Sequence, residues 1–258
     1  MSVRFSVEDK IARVTIDRPE RMNAVDQATE AELIRAWETI EKTRDIRVVI
    51  LTGAGDKAFC TGADMKSGSG LTGLEYWASP RPGGFGGLAL RDTLDVPVIA
   101  RVNGHALGGG MEMMLGCDIV VASSNATFGL PEPRVGRLAL DGGIALLQRR
   151  IPYVWAMGML LTGRRVDAAA ALRMGLVNEV VAPEELDGAV ERWTEDILAC
   201  APLSLRAIKQ MVRAGEHISA KEAQMLRLPS LVEALKSSDQ DEGVLAFKEK
   251  RPPQWRGR

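Results

Sequence analysis

Pro97-Val98-Ile99-Ala100-Arg101-Val102-Asn103-Gly104-His105-Ala106-Leu107-Gly108-Gly109-Gly110-Met111-Glu112 is the stretch on which the reading of this chain turns. Its first six residues form a nearly continuous apolar run, as in a strand buried on both faces. Gly108, Gly109 and Gly110 allow a close turn, and Met111, Met113, Met114 and Leu115 begin a helix over about 110–116. Buried strand, tight loop and helix together make an α/β unit. Amides in the first turn of a helix lack partners inside it, so this loop can aim N–H groups at a developing negative charge. Glu112 falls in the same turn among methionines, an apolar setting that raises a carboxyl pKa.

Outward from that stretch, the strand–loop–helix pattern recurs at 47–66, where Arg47 to Thr52 is again a short apolar run. Residues 3–7 and 11–17 alternate apolar and polar and predict a hairpin. A helix follows over about 27–43, with Asp26 as N-cap and Leu33, Ala36, Trp37 and Ile40 on one face. Asp118 to Ala122 reads as another strand, and Glu132 sits between Pro131 and Pro133, which fix its direction. Residues 66–88, rich in Gly, Ser and Pro, are expected to be a mobile pocket wall or lid. From about Gly142 onward the chain reads as helical, broken by a short strand near 177–181. The division expected is a core over 1–200 and a helical C-terminal module over 201–258.

Composition removes several classes of function. The chain has 258 residues, 46% apolar and 26% charged, with 33 basic and 34 acidic side chains and a net charge of -1. Such a chain is not disordered, and it offers no basic footprint for nucleic acid. No apolar run approaches the roughly 20 residues of a membrane span, and the N-terminal sequence has no signal-peptide core. Cys60, Cys117 and Cys200 have no metal spacing, so a cytoplasmic protein without metal is expected. With only His105 and His217, a three-histidine zinc site is impossible, and no G-x-S-x-G elbow exists to hold a triad serine. Gly53-Ala54-Gly55-Asp56-Lys57-Ala58 fits a dinucleotide fingerprint but lacks the helix and acid-ended strand that should follow. Carboxylates and backbone amides are left to carry the chemistry.

Several segments, in order, resemble the crotonase (enoyl-CoA hydratase/isomerase) superfamily along essentially the whole chain. Arg18-Pro19 with Asn23-Ala24, and Ala58-Phe59-Cys60-Thr61-Gly62-Ala63-Asp64-Met65, are similar to its first two CoA-binding segments. Asn103 to Glu112 resembles its signature loop, and Phe128-Gly129-Leu130-Pro131-Glu132 its second acidic motif. Leu161 to Arg165, Gly175 to Val181, and Phe247 with Lys250-Arg251 continue the match. The resemblance implies an α/β fold: a spiral of repeated ββα units with a helical C-terminal trimerisation module, in a homotrimer or hexamer. It implies a thioester carbonyl held by the amides of Ala63 and Gly109, and a water held by Glu112 and Glu132. CoA would run past Arg21, Met22, Ala24, Thr61, Ala63, Asp64, Met65 and Lys66, with Phe247 and Lys250 reaching it from an adjacent subunit. No separate cofactor is implied, because coenzyme A is part of the acyl-CoA thioester substrate, and neither nucleic acid nor membrane is an expected partner.

Keeping both glutamates favours hydration of a 2-enoyl-CoA, or the reverse dehydration. The C-terminus is similar to carnitinyl-CoA dehydratases and to several ordinary hydratases. Ala139 stands where the family usually has proline, and Arg134, Arg137 and Asp141 put charge near the expected acyl pocket. That charge reads either as a salt-linked surface loop or as recognition of a polar acyl group. Double-bond isomerisation by a single glutamate is the nearest competing reading. A non-catalytic RNA-binding or scaffolding relative is the distant one, and the balanced charge and absence of a lysine-rich stripe oppose it.

Overall fold

The alternation at the N-terminus becomes an antiparallel hairpin of β1 (Val3–Glu8) and β2 (Ile11–Ile16) in the computed structural model, which describes residues 1–67 and 70–258. Asp9 and Lys10 close it with positive φ at both positions, the two-residue turn whose twist matches its strands. Phe5 and Val7 are nevertheless exposed, because β1 is an edge strand and only Val3 reaches the core. Helix α1 (Gln27–Lys42) begins at Asp26, whose carboxylate accepts from the Thr29 amide at 2.8 Å. The expected face of Leu33, Ala36, Trp37 and Ile40 is buried.

Three more turns of the chain repeat the order strand, strand, helix. They are β3 (Val48–Gly53), β4 (Ala58–Cys60) and α2 (Gly73–Ala78); then β5 (Val98–Val102), β6 (His105–Leu107) and α3 (Gly109–Leu115); then β7 (Ile119–Ser123), β8 (Thr127–Gly129) and α4 (Gly143–Arg150). The first strand of each turn enters a six-stranded sheet of order β1-β2-β3-β5-β7-β10, and the second enters a four-stranded sheet of order β4-β6-β8-β9. Here β9 is Val166–Asp167 and β10 is Glu179–Val181. Pairing of β2 through β7 in the large sheet, and of β4 through β8 in the small one, is parallel. The chain therefore winds as a spiral, as the ββα reading expected.

Both faces of the large sheet are covered. Val14, Leu51, Val98 and Ala100 belong to the main core, where Trp37, Phe59, Met111 and Phe128 are fully buried. Val48, Ile50, Ile99 and Val121 on the other face pack against Leu186, Ala189, Val190 and Ile197 of a later helix. Two-sided burial is why β3, β5 and β7 read as continuous apolar runs.

Beyond α4 come α5 (Tyr153–Thr162), α6 (Ala168–Met174), α7 (Leu186–Leu198), α8 (Pro202–Gly215), α9 (Ala220–Met225), α10 (Pro229–Lys236) and α11 (Ser238–Glu249). Helix α8 is anchored through Lys209, whose buried ammonium meets Asp118 at 2.6 Å and the Val96 carbonyl at 2.7 Å. No described helix is long and apolar enough to cross a membrane.

The segment expected to be a mobile wall divides in two. Gly68 and Ser69 lie outside the described residues, and α2 sits on the surface. Residues 84–89 are instead buried against α1 and α3, with the Trp37 indole donating to the Gly86 carbonyl at 2.8 Å. Glycine there serves packing rather than mobility: a Cβ on Gly86 would stand 2.6 Å from the Met113 sulfur.

Candidate active site

Because β4, β6 and β8 are adjacent and parallel, their C-terminal ends form one edge. Ala63 follows the end of β4, Gly109 the end of β6, and Glu132 the end of β8. Three of the residues singled out from sequence thus come from successive turns of the spiral to the same edge.

Two backbone amides there are free. Val25 bridges the 62–64 segment, donating to the Gly62 carbonyl at 2.8 Å and accepting from the Asp64 amide at 2.9 Å. Such pairing skips the amide of Ala63, and Gly109 is the first residue of α3. Neither N–H donates to an acceptor among the described residues. Gly62 draws the two segments together: a Cβ on it would lie 3.0 Å from the Gly109 nitrogen. Gly108 has φ 55 and ψ -131, a conformation reserved for glycine. Gly110 is required differently, since a Cβ there would fall 2.1 Å from the Cys60 carbonyl oxygen. Partnerless amides at one edge can receive an oxygen that gains negative charge.

Two carboxyl groups face this edge. Glu112 is 3% exposed, and its Oε1 accepts the Gly143 amide at 2.8 Å. Burial pushes its pKa up to about 8; the Gly143 hydrogen bond opposes this, and the charges of Asp141 and Glu132 add to it. Glu132 opens the 3-10 turn Glu132–Val135, with prolines on either side. Its Oε1 lies 3.0 Å from the place of a Cβ on Gly108, and its Oε2 is buried with no hydrogen-bond partner. Burial raises its pKa as well. An orphaned buried acceptor needs a donor, which a water or a ligand hydroxyl would supply. Two neighbouring carboxyls of raised pKa are suited to share one proton and to exchange it.

The proposed CoA segments lie beside this edge. The Arg18 guanidinium joins Asp26 at 2.9 Å and Asp64 at 3.0 Å, and it also donates to the Ala24 carbonyl. Thr61 donates its hydroxyl to the Met22 carbonyl at 3.2 Å. Arg21, Met22 and Ala24 are thereby held next to Thr61–Lys66. The Asp64 carboxylate is committed to the fold: the Lys66 amide and Arg18 hold its pKa below the usual carboxylate range. Arg21, Met65 and Lys66 are exposed. A cavity of about 340 Å³ opens between Pro19, Met22, Asn23 and the 54–58 loop, beside Met22 rather than at the glutamates. Phe247 is exposed on α11 and Lys250 closes that helix in a left-handed conformation; no hydrogen bond or ion pair joins them to the 61–66 segment.

Two buried asparagines contribute more than their sequence suggests. Asn23 donates to the carbonyls of Ala54 and Ala58, and Asn103 to those of Gly55 and Ala58. They pin the 53–58 loop, and the strand β4 follows it instead of a helix, so the glycines there make no dinucleotide fingerprint. Arg18 and Asn23 were visible only as motif letters.

The charged residues after Glu132 separate. Arg134 is exposed and donates to the Thr162 carbonyl at 2.9 Å, and Arg137 lies over the Met65 sulfur at 3.6 Å. Asp141 is buried and accepts from the Tyr76 hydroxyl. Arg81 covers one face of the Tyr76 ring at 4.2 Å.

Comparison with known proteins gives the family and its relatives. The family profile described as Enoyl-CoA hydratase/isomerase matches residues 6–258. The chain is 40% identical over 261 residues to an (E)-benzylidenesuccinyl-CoA hydratase of Thauera aromatica, covering 100% of both. It is 38% identical to the carnitinyl-CoA dehydratase of Escherichia coli K12, covering 100% of this chain and 99% of that one. Among solved structures, enoyl-CoA hydratase from Mycobacterium tuberculosis H37Rv matches with a TM-score of 0.90 at 35% identity, covering 100% of this chain and 99% of that one. The Bacillus anthracis enoyl-CoA hydratase matches with a TM-score of 0.91 at 30% identity, covering 100% of each.

Proposed function

Because this chain belongs to the enoyl-CoA hydratase/isomerase family, we propose that it adds water reversibly across the 2,3 double bond of a 2-enoyl-CoA thioester. The observation that carries the reading is buried Glu112 together with Glu132, whose buried Oε2 has no partner among the described residues, near the free amides of Ala63 and Gly109. The thioester oxygen accepts from those two N–H groups. One carboxylate takes a proton from water as the water oxygen bonds to C3, and the π electrons move toward the thioester oxygen. The other carboxyl, protonated, then gives its proton to C2 and the carbonyl is restored. Glu112 and Glu132 act as this acid–base pair, and burial keeps a proton on the pair near neutral pH. Losing one such amide donor costs roughly 100- to 1,000-fold in turnover.

Coenzyme A runs past Arg21, Met22 and Ala24 and along Thr61–Lys66, as part of the substrate and not as a cofactor. A homotrimer or a hexamer is the expected assembly. Exposed Val154, Trp155, Leu161, Val212, Leu235 and Phe247 on the later helices support an assembly in which apolar faces are covered. Phe247 and Lys250 then reach the CoA of a neighbouring subunit. Free thiols at Cys60, Cys117 and Cys200 fit a reducing, cytoplasmic setting.

Dehydration of a 3-hydroxyacyl-CoA with a polar tail is the same chemistry run backwards, and likeness to carnitinyl-CoA dehydratases together with buried Asp141 favours keeping it as the second reading. Hydration of crotonyl-CoA, followed by loss of the enoyl-thioester absorbance, tests the first. An isomerase or a non-catalytic relative leaves crotonyl-CoA untouched.

A further inference from the structure

Helix α2 is a surface element with a narrow foundation. Its Thr72–Glu75 capping box closes on itself, none of its residues is buried, and Leu74 and Trp77 are exposed. Tyr76 anchors it. The Tyr76 hydroxyl donates to Asp141, its ring lies under Arg81, and Arg81 in turn pairs with Glu30 of α1 at 2.8 Å.

Asp141 faces three parts of the site at once. Its carboxylate receives Tyr76, and its carbonyl accepts from the Phe85 amide at 3.5 Å. It stands two residues before Gly143, whose amide bonds Oε1 of Glu112. The Phe85 ring meanwhile packs on Gly109, within 2.4 Å of where a Cβ would stand. One buried residue therefore links the surface helix to the turn that fixes Glu112 and to the ring lying against a free amide.

We propose that Asp141 is a positioning residue for Glu112, with the Tyr76 hydroxyl as its donor, so that seating of α2 sets the geometry of the Glu112 carboxyl. The proposal rests on the acid–base role given above to Glu112. A buried carboxylate stripped of its donor is costly, and the 139–143 turn must move to find another. Groups that react must be held to about 0.5 Å, and a misplacement of about 1 Å can cost on the order of 100-fold.

The test compares wild type, Tyr76→Phe, Asp141→Ala and Asp141→Asn, in the full chain, with crotonyl-CoA as substrate. Tyr76→Phe and Asp141→Ala should each lower kcat by about 10- to 100-fold while KM moves less than about 3-fold. Asp141→Asn keeps an oxygen for the hydroxyl and should recover most of kcat. Combining Tyr76→Phe with Asp141→Ala should cost no more than the worse single change, because both remove one bond. A rise in KM alone, losses that multiply in the double variant, or Asn no better than Ala each overturns the proposal. Wild-type hydration and its loss in Glu112→Gln report separately on the reading of the site. Should the wild type prove inactive toward crotonyl-CoA, hydrogen exchange still decides: amides of 139–143 must lose protection in Tyr76→Phe, and unchanged protection there overturns the coupling.

Discussion

The Gly143 amide holds Oε1 of Glu112 at 2.8 Å, tying the first turn of α3 to the first turn of α4. That bond steadies a carboxyl which burial otherwise disfavours as an anion, and the balance between the two sets how the protein responds to pH.

Stability should fall as pH rises through the window between 4.5 and about 8, the ordinary and folded values for Glu112. In that window the folded chain keeps a proton that the unfolded chain has released; below it both states are protonated and nothing is lost. Glu112→Gln removes the titration and keeps an oxygen for Gly143. Its melting temperature relative to wild type should climb between about pH 5 and pH 9, by about 2–4 °C for each kcal/mol involved. A difference that stays flat across that range contradicts the buried, proton-holding Glu112.

Glu112→Gln and Glu132→Gln should each reduce hydration at least about 100-fold. Binding of the acyl-CoA, measured by calorimetry, should change little, since the amides of Ala63 and Gly109 belong to the backbone. Retention of hydration in Glu132→Gln alongside its loss in Glu112→Gln means that one carboxylate suffices, and the isomerase reading then takes precedence.

Gly108→Ala and Gly110→Ala should fail in different ways. At Gly110 the new methyl meets the Cys60 carbonyl at 2.1 Å, backbone against backbone, so the variant should lose about 1–3 kcal/mol or more and express poorly. At Gly108 the glycine-only φ/ψ costs on the order of 1–3 kcal/mol, and the methyl presses on Glu132 at 3.0 Å. That variant should fold and lose turnover. Equal melting temperatures for the two would argue against the packing described at Cys60.

Saturating coenzyme A should slow hydrogen exchange over residues 61–66 and over Arg21–Ala24. Arg18→Ala should weaken that protection, because Arg18 joins Asp26, Asp64 and the Ala24 carbonyl. Protection confined to other segments would move the binding site elsewhere.

Light scattering should give a particle of three or six chains of 28.0 kDa. A charged substitution at Leu161 or Leu235, both exposed in the isolated chain, should reduce that mass if those faces are covered in the assembly. A monodisperse monomer at micromolar concentration removes the proposed assembly, and with it the role of Phe247 and Lys250.

The large sheet was legible because burial on both faces leaves an unmistakable mark: Val48–Leu51, Val98–Val102 and Ile119–Ala122 carry almost nothing polar. The small sheet followed only from the resemblance to ββα units, since β4, β6 and β8 are three residues each and show no period of their own. Residues 83–89 misled for a related reason. Glycine marks mobility in one setting and tight packing in another, and only the neighbours, here Trp37, Ile34 and Met113, decide which. At the site, Glu112 and Glu132 could be named from their motifs, and apolar neighbours gave the direction of the Glu112 shift. The orphaned Oε2 of Glu132 and the link from Tyr76 to Asp141 join residues from separate turns of the chain, and no local pattern encodes them.

The parallel small sheet gives the site a built-in gauge. Its strand ends stand about 4.8 Å apart, so successive windings deliver an amide, a second amide and a carboxyl at intervals set by hydrogen-bonded backbone rather than by side-chain packing. Residue identity beyond each strand end can be exchanged while the spacing of the backbone stays put. On the proposed reading, changing the chemistry is a matter of what sits at the position of Glu132, with the ruler beneath it left alone.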